Sequence, residues 1–339
     1  MGAKILGPGD TITVTKEVYA LLPGALQECF ERAGTVAGAV TYRTTGLNWR
    51  QAPRLAAALG VHFTPEKLKK QTETYRDALP LADMEVSGAQ ELIDLDRLSE
   101  RQSKKISAVA LYADLDGFTR YVQAAEHDED VVSLVRVLHM IRTEFHAVVN
   151  QDYPGVGLVL QHQGDRLLAI VQMPPGDRLD QRCANGLKIA IGMQSSMEHA
   201  LNEHLQERQD IHVAVGLDVG TVLVTRLGKK GQREVICLGP RVTTAEALQL
   251  CSAGQEIRIS ETIYNTIDHE TLKHQFRTDG RGAYVAKRLT FPRLDELEAT
   301  AAARAGGLAA TTTGQRIRIE LPSRPWATAG VSPKPWYAG

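Results

Sequence analysis

The apolar run over residues 106–112 stops abruptly on Asp114-Leu115-Asp116-Gly117-Phe118-Thr119, and this junction restricts the possible folds more than any other stretch of the chain. Ile106, Ala108, Ala110 and Tyr112 interleave with Val109 and Leu111, which predicts a short buried strand. Gly117 then predicts a turn into a helix. A carboxylate at a strand end, beside the free amides of a helix start, can hold a cation and a phosphate together.

From residue 106 onward strand and helix patterns alternate, which predicts an α/β or α+β domain. Val131, Leu134, Val135, Leu138, Ile141, Phe145 and Val148 share one helical face, predicted to pack on a sheet. Residues 157–162 and 166–173 read as two strands of a hairpin, with Gln163, Gly164 and Asp165 at its tip. Leu187, Ala190, Ile191, Met197, Leu201 and Leu205 predict a second inward-facing helix. Strands are expected at 211–217 and 221–226, separated by a turn at Asp218-Val219-Gly220, and again at 234–238. Gly239-Pro240 breaks that last strand ahead of a helix over 243–251. A strand at 256–259 and a short helix from Glu261 complete the domain.

Residues 1–100 read as a separate, mostly helical extension: Val18, Leu21, Leu22, Leu26 and Phe30 fall near helical spacing, and Leu55, Leu59 and Phe63 form a second cluster. The alanine-, glycine- and threonine-rich stretch 299–314 reads as a linker, followed by a proline-containing tail with Trp326 and Trp336. The 39 basic and 40 acidic residues leave a formal net charge of -1, so no overall field draws nucleic acid or an anionic membrane. The 4 cysteines have no zinc or disulfide spacing. No apolar run approaches the roughly 20 residues of a bilayer span. The expectation is a cytoplasmic protein that binds neither nucleic acid nor membrane.

Asp114 and Asp165 are the two acids that adjacent antiparallel strands would bring together. Converging carboxylates repel unless a cation neutralises them, and Mg2+ or Mn2+ with oxygen ligands is the usual remedy; the Leu115 carbonyl is a candidate third ligand. Taken alone, the same residues read equally well as a helix cap at Asp114 and an ordinary turn residue at Asp165.

Three segments in order resemble the class III nucleotidyl cyclases, the adenylate and guanylate cyclase family, across roughly residues 106–262. They are Ala-Asp-Leu-Asp-Gly-Phe-Thr at 113–119, Gln-Gly-Asp-Arg-Leu-Leu-Ala at 163–169 and Val-Gly-Leu-Asp-Val-Gly-Thr-Val at 215–222; Cys-Leu-Gly-Pro-Arg-Val-Thr-Thr-Ala-Glu-Ala at 237–247 follows the pattern more loosely. The resemblance implies a ferredoxin-like α+β catalytic domain over 104–292, an antiparallel-rich sheet covered by helices. It also implies two divalent ions, Mn2+ or Mg2+, on Asp114 and Asp165. Nucleotide phosphates are then expected on the amides of Gly117, Phe118 and Thr119, and a homodimer with shared active sites is expected.

The pattern departs from the family where a purine would be read. A lysine three residues before the hairpin glycine and an acid three residues before the glycine of the fourth segment are replaced by Gln161 and Ile236. A buried donor left unpaired costs about 1 to 3 kcal/mol, enough to disfavour purines. The family's ribose-orienting asparagine and transition-state arginine are replaced by Thr243 and Ala247, with Arg241 nearby as a candidate substitute. Arg281, Lys287 and Arg288 lie near the place of the family's phosphate lysine. These departures resemble bacterial pyrimidine cyclases of antiphage signalling. They point to UTP as substrate and cyclic UMP as a messenger for a separate effector, with CTP cyclisation, ATP cyclisation and idle nucleotide binding as the ordered alternatives.

Overall fold

The computed structural model describes residues 12–36, 38–44, 65–78, 85–88, 92–99, 101–125, 127–151, 156–172, 176, 178–202, 211–228 and 233–306. The chain divides into two compact units, Met1–Met84 and Glu85–Gly339.

The first unit holds β1 (Thr13–Thr15), α1 (Lys16–Leu21), α2 (Gly24–Gln27), β2 (Phe30–Val36), β3 (Ala39–Thr44) and α3 (Pro65–Ala78). Its three strands form an antiparallel sheet in the order β1-β3-β2. The mostly helical reading of this region therefore missed a sheet. Val18, Leu21 and Leu26 do fall on helices, but Phe30 opens β2, and the ring of Tyr42 on β3 stacks on Tyr19 at 3.9 Å. Leu55, Leu59 and Phe63 lie outside the described residues.

The second unit follows as β4 (Glu85–Gly88), β5 (Gln102–Asp116), α4 (Phe118–Gln123), α5 (Asp128–His146), β6 (Gly157–Gln163), β7 (Arg166–Gln172), α6 (Leu179–Ser196), β8 (His212–Leu227), β9 (Glu234–Leu238), α7 (Pro240–Leu250), β10 (Glu256–Ser260), α8 (Glu261–Asn265), α9 (Glu270–Lys273), β11 (Arg277–Thr278), β12 (Ala283–Lys287) and α10 (Phe291–Gly306). Its nine strands run in the order β11-β12-β10-β8-β5-β7-β6, with β4 parallel to the start of β5 and β9 antiparallel to the end of β8.

Because strand side chains alternate, β5 feeds two cores. Val109, Leu111, Ala113 and Leu115 join residues of α5, α6 and α8 on one face. Ile106, Ala108, Ala110 and Tyr112 face Leu168, Val222, Cys237 and the helix residues Val242 and Ala245 on the other. Segment 92–99 closes the far end of this second core: the Gln172 side chain accepts from the Ile93 amide at 2.7 Å and donates to the Ile93 carbonyl at 2.9 Å.

Three expectations need correction. The turn at Asp218-Val219-Gly220 does not exist; β8 is one continuous strand, paired with β5 from Lys104↔Val224 to Asp116↔His212. Asp218 tolerates this because its carboxylate is satisfied within the strand, accepting from the Val219 amide at 2.8 Å and from Arg241 at 3.3 Å. The linker expected at 299–314 is helical as far as Gly306, as its alanine content favours; the rest, with Trp326 and Trp336, lies outside the described residues, as does Leu205. On α5 the inward residues are Val137, Ile141 and Phe145, with Leu134 and Leu138 packed beside them and Val148 buried just past the helix end, whereas Val131 and Val135 are 45% and 62% exposed.

Candidate active site

The site lies on the second-core face of the sheet, at the C-terminal end of β5. The register sets Ala113 opposite Leu167, so Asp114 and Arg166 stand abreast, one step beyond Tyr112 and Leu168. Gln161 pairs with Leu168 from the other side, past a bulge between Val159 and Gln161. Gln161, Leu168 and Tyr112 therefore form one transverse row, and Arg166 and Asp114 belong to the next.

Helix α7 roofs this face. Its approach to β8 requires glycine: a Cβ on Gly216 would lie 2.3 Å from both the Ala245 carbonyl oxygen and the Gln249 amide nitrogen. Gly239, at φ 142°, and Pro240 open the helix, proline being suited to a first turn that needs no amide donor. That placement brings Gln249 and Glu246 down on the strand acids. Gln249 Nε2 donates to Asp114 Oδ2 at 3.3 Å, and Arg166 Nη1 donates to Glu246 Oε1 at 3.0 Å. Arg166 Nε stands 4.0 Å from Asp114 Oδ1, and its guanidinium lies 6.0 Å from the Tyr112 ring centre.

Asp165 occupies the hairpin tip beside Gly164, whose φ of 68° favours glycine. Arg142 of α5 holds the tip through a hydrogen bond to the Gly164 carbonyl. Burial, and next the charge of Asp114, push the Asp165 carboxyl above the usual carboxylate range. The two acids are thus in electrostatic reach of each other. A carboxyl raised by a neighbouring acid in this way fits a divalent cation, whose charge reverses the shift. Leu115 has its side chain in the core, 3% exposed, so only its backbone oxygen is available as a ligand. Among the described residues no group of three or more His, Cys, Asp or Glu side chains is placed to hold a metal, so the protein donors reduce to two carboxylates and backbone oxygen. The neighbouring acid Asp116 is occupied otherwise, accepting from the Gly254 amide at 3.1 Å.

At the opening of α4, Gly117 has φ 89°, Phe118 is 7% exposed within the first core and Thr119 is exposed. The two positions expected to read the base are neighbours in space: Gln161 Nε2 donates to the carbonyl of Val235, adjacent to Ile236, at 3.2 Å. Ile236 is half-buried and pairs with Thr225. The neighbouring Cys237 is buried in the second core. Burial pushes the Cys237 thiol up to about 12. The Tyr112 phenol is also raised, by burial first and then by the charge of Glu246, with Arg166 opposing.

The remaining candidates are not drawn into this cluster. Thr243 is exposed on α7, its hydroxyl 3.5 Å from the Gly239 carbonyl. Arg241 crosses Gly220 to reach Asp218, whose side chain is fully buried, which gives its guanidinium a structural partner. Lys287 pairs with Glu256 at 2.8 Å and Arg288 donates to Gln255 at 2.6 Å. Sequence reasoning missed Arg166, Glu246 and Gln249. Arg166 directly follows Asp165, and Glu246 and Gln249 sit three residues apart on one face of α7, a signal that could have found them.

Residues 101–290 match the family described as the adenylate and guanylate cyclase catalytic domain. A uridylate cyclase of Pseudomonas aeruginosa is 34% identical over 196 residues, 56% of this chain and 36% of that protein. A uridylate cyclase of a Rhizobium species is 30% identical over 173 residues, 50% of this chain and 32% of that protein. The matches with these two relatives thus span about a third of their length. Among solved structures, a class III adenylyl cyclase-like ATP-binding protein from Pseudomonas aeruginosa superposes with a TM-score of 0.63 at 25% identity, covering 75% of this chain and 54% of that one.

Proposed function

The chain belongs to the adenylate and guanylate cyclase catalytic domain family, and from that premise we propose that it is a uridylate cyclase, converting UTP to 3',5'-cyclic UMP and diphosphate. The observation that carries the reading is the facing pair of strand-end and hairpin-tip acids, Asp114 and Asp165, in a site whose purine-reading positions hold Gln161 and Ile236. The names of the curated relatives support uridine over the other bases.

Family members generally use two divalent ions, Mg2+ or Mn2+. In this chain Asp114, Asp165 and the Leu115 carbonyl would hold them, and the bound ions would supply Lewis acidity toward the ribose hydroxyl and the phosphates. The protein's own contribution is positional. Gln249 fixes the Asp114 carboxylate, Arg142 fixes the hairpin that carries Asp165, and the apolar wall of Leu168, Val235 and Cys237 limits water around the base. Gln161 has both a donor and an acceptor, matching the mixed edge of a pyrimidine. In this reading the enzyme works as a cytoplasmic homodimer with shared sites, and its product is a second messenger that activates a separate antiphage effector. No helix among the described residues is long and apolar enough to cross a membrane.

Incubating the purified chain with each of the four nucleoside triphosphates and Mn2+, and quantifying cyclic product and pyrophosphate, tests the proposal. Cyclic UMP should predominate; product from ATP or GTP in excess of that from UTP and CTP would overturn it. A second reading, nucleotide binding without turnover, has its support in Thr243 and Ala247 and in the likeness to an ATP-binding cyclase-like protein. It predicts triphosphate binding with no pyrophosphate release.

A further inference from the structure

Cyclisation at this site needs a cation against the charge that develops at the α-phosphorus, and α7 carries Ala247 where the resemblance places an arginine. We propose that Arg166 supplies this charge from the sheet side of the site, held in reach of the nucleotide phosphates by Glu246. The proposal rests on the cyclase reading given above.

Several observations converge on this residue. Arg166 is the first residue of β7, immediately after Asp165 and abreast of Asp114. Its side chain is 20% exposed, so the charge acts in a partly desolvated setting while keeping an opening to a ligand. The 3.0 Å bond to Glu246 is the tight one; the 4.0 Å approach to Asp114 is too long for a hydrogen bond. A guanidinium has five donors, and one contact to Glu246 anchors it without consuming the fork. The anchor, Glu246, lies on the same helix as Ala247. Among the described residues, Arg241 is paired with buried Asp218, Lys287 with Glu256, Arg288 with Gln255 and Arg142 with the Gly164 carbonyl.

In the reaction the ribose 3'-oxygen forms its bond to the α-phosphorus as the bond from that phosphorus to the bridging oxygen breaks. The electron pair leaves with pyrophosphate and the hydroxyl proton passes to water. Arg166 neither gives nor takes a proton; it donates hydrogen bonds to phosphate oxygens whose charge rises along the path.

The test compares wild type with Arg166→Ala, Arg166→Lys and Glu246→Gln in the full chain, by steady-state turnover of UTP with Mn2+ and by calorimetric binding of Mn2+-pyrophosphate. Arg166→Ala should lower kcat about 100-fold or more, the scale of losing one preorganised donor, with KM changed far less. Added guanidinium ion should restore part of the Arg166→Ala rate and none of the rate of Asp114→Asn. Arg166→Lys should retain an intermediate rate, and Glu246→Gln should lower kcat by less than Arg166→Ala. Equal kcat in wild type and Arg166→Ala, or a loss that tracks only a lowered Tm and resists guanidinium rescue, would overturn the proposal. Should wild type turn over no nucleotide, the cyclase reading fails separately. Arg166 is then judged by binding: a tenfold weaker affinity of Arg166→Ala for Mn2+-pyrophosphate supports its phosphate contact, and equal affinity rejects it.

Discussion

Replacing Arg241 by alanine separates a structural role from a catalytic one. The Asp218 side chain is 0% exposed at the middle of β8, and its partners are the Val219 amide at 2.8 Å and Arg241 Nη1 at 3.3 Å. Removing one partner of a buried ion pair costs about 3–5 kcal/mol, because the remaining charge is left uncompensated. Arg241 is itself 48% exposed and makes a single contact, and Asp218 keeps its backbone donor, which places the loss at the lower end, about 3 kcal/mol. For a domain of this size that is roughly 6–12 °C in Tm. Urea unfolding followed by circular dichroism should show a lower midpoint at unchanged slope. Asp218→Asn, which keeps the shape and an acceptor for Val219, should recover most of the loss when combined with Arg241→Ala, because the orphaned charge is gone. A stable Arg241→Ala protein, within about 0.5 kcal/mol of wild type as for an ordinary surface change, yet without activity, would refute the reasoning and return Arg241 to the catalytic apparatus.

Three further outcomes are expected. Burial and Asp114 raise the Asp165 carboxyl above its unfolded value, so its protonated form favours folding and that contribution is lost as pH rises from the acid range through the raised pKa. Asp165→Asn should accordingly have a higher Tm than wild type at pH 7 in EDTA, and the Tm rise that Mn2+ gives wild type should be smaller or absent; a lower Tm in EDTA contradicts this. Cys237, 5% exposed and pushed up to about 12, should resist iodoacetamide at pH 8 while the exposed Cys251 is alkylated, as read by peptide mass spectrometry; equal labelling would show that the second core opens. Gly216→Ala forces a Cβ to 2.3 Å from α7 backbone and should cost about 3 kcal/mol, the top of the overpacking range, measured by urea melts; a change below about 0.5 kcal/mol would mean that the helix can lift at no cost.

The parts of the site legible in sequence are those written in neighbouring residues. The strand that leads into Asp114, the turn at Gly117 into a helix, and the hairpin with Gly164 and Asp165 at its tip follow from alternation and turn chemistry over short windows, and the structure has each of them, with the strand extended to Gln102–Asp116. The same short-range logic failed at Asp218-Val219-Gly220. Aspartate and glycine are turn formers by local preference, but pairing along thirteen positions of β5 and a distant arginine outweigh that preference. It failed again in the first unit, where apolar spacing suggested helices and three strands pair instead.

The sequence by itself thus determined the α+β class III cyclase fold, with Asp114 near a strand end and Asp165 at a hairpin tip. Only the tertiary structure decided which side chain serves which acid. Asp114 meets Gln249 across 135 residues, Arg166 meets Glu246 across 80, and Arg241 is spent on Asp218 across 23. Local propensity is blind to such pairings, because a charge chooses its partner by distance and desolvation in the packed state, and both are fixed only when Gly216 lets α7 settle onto β8.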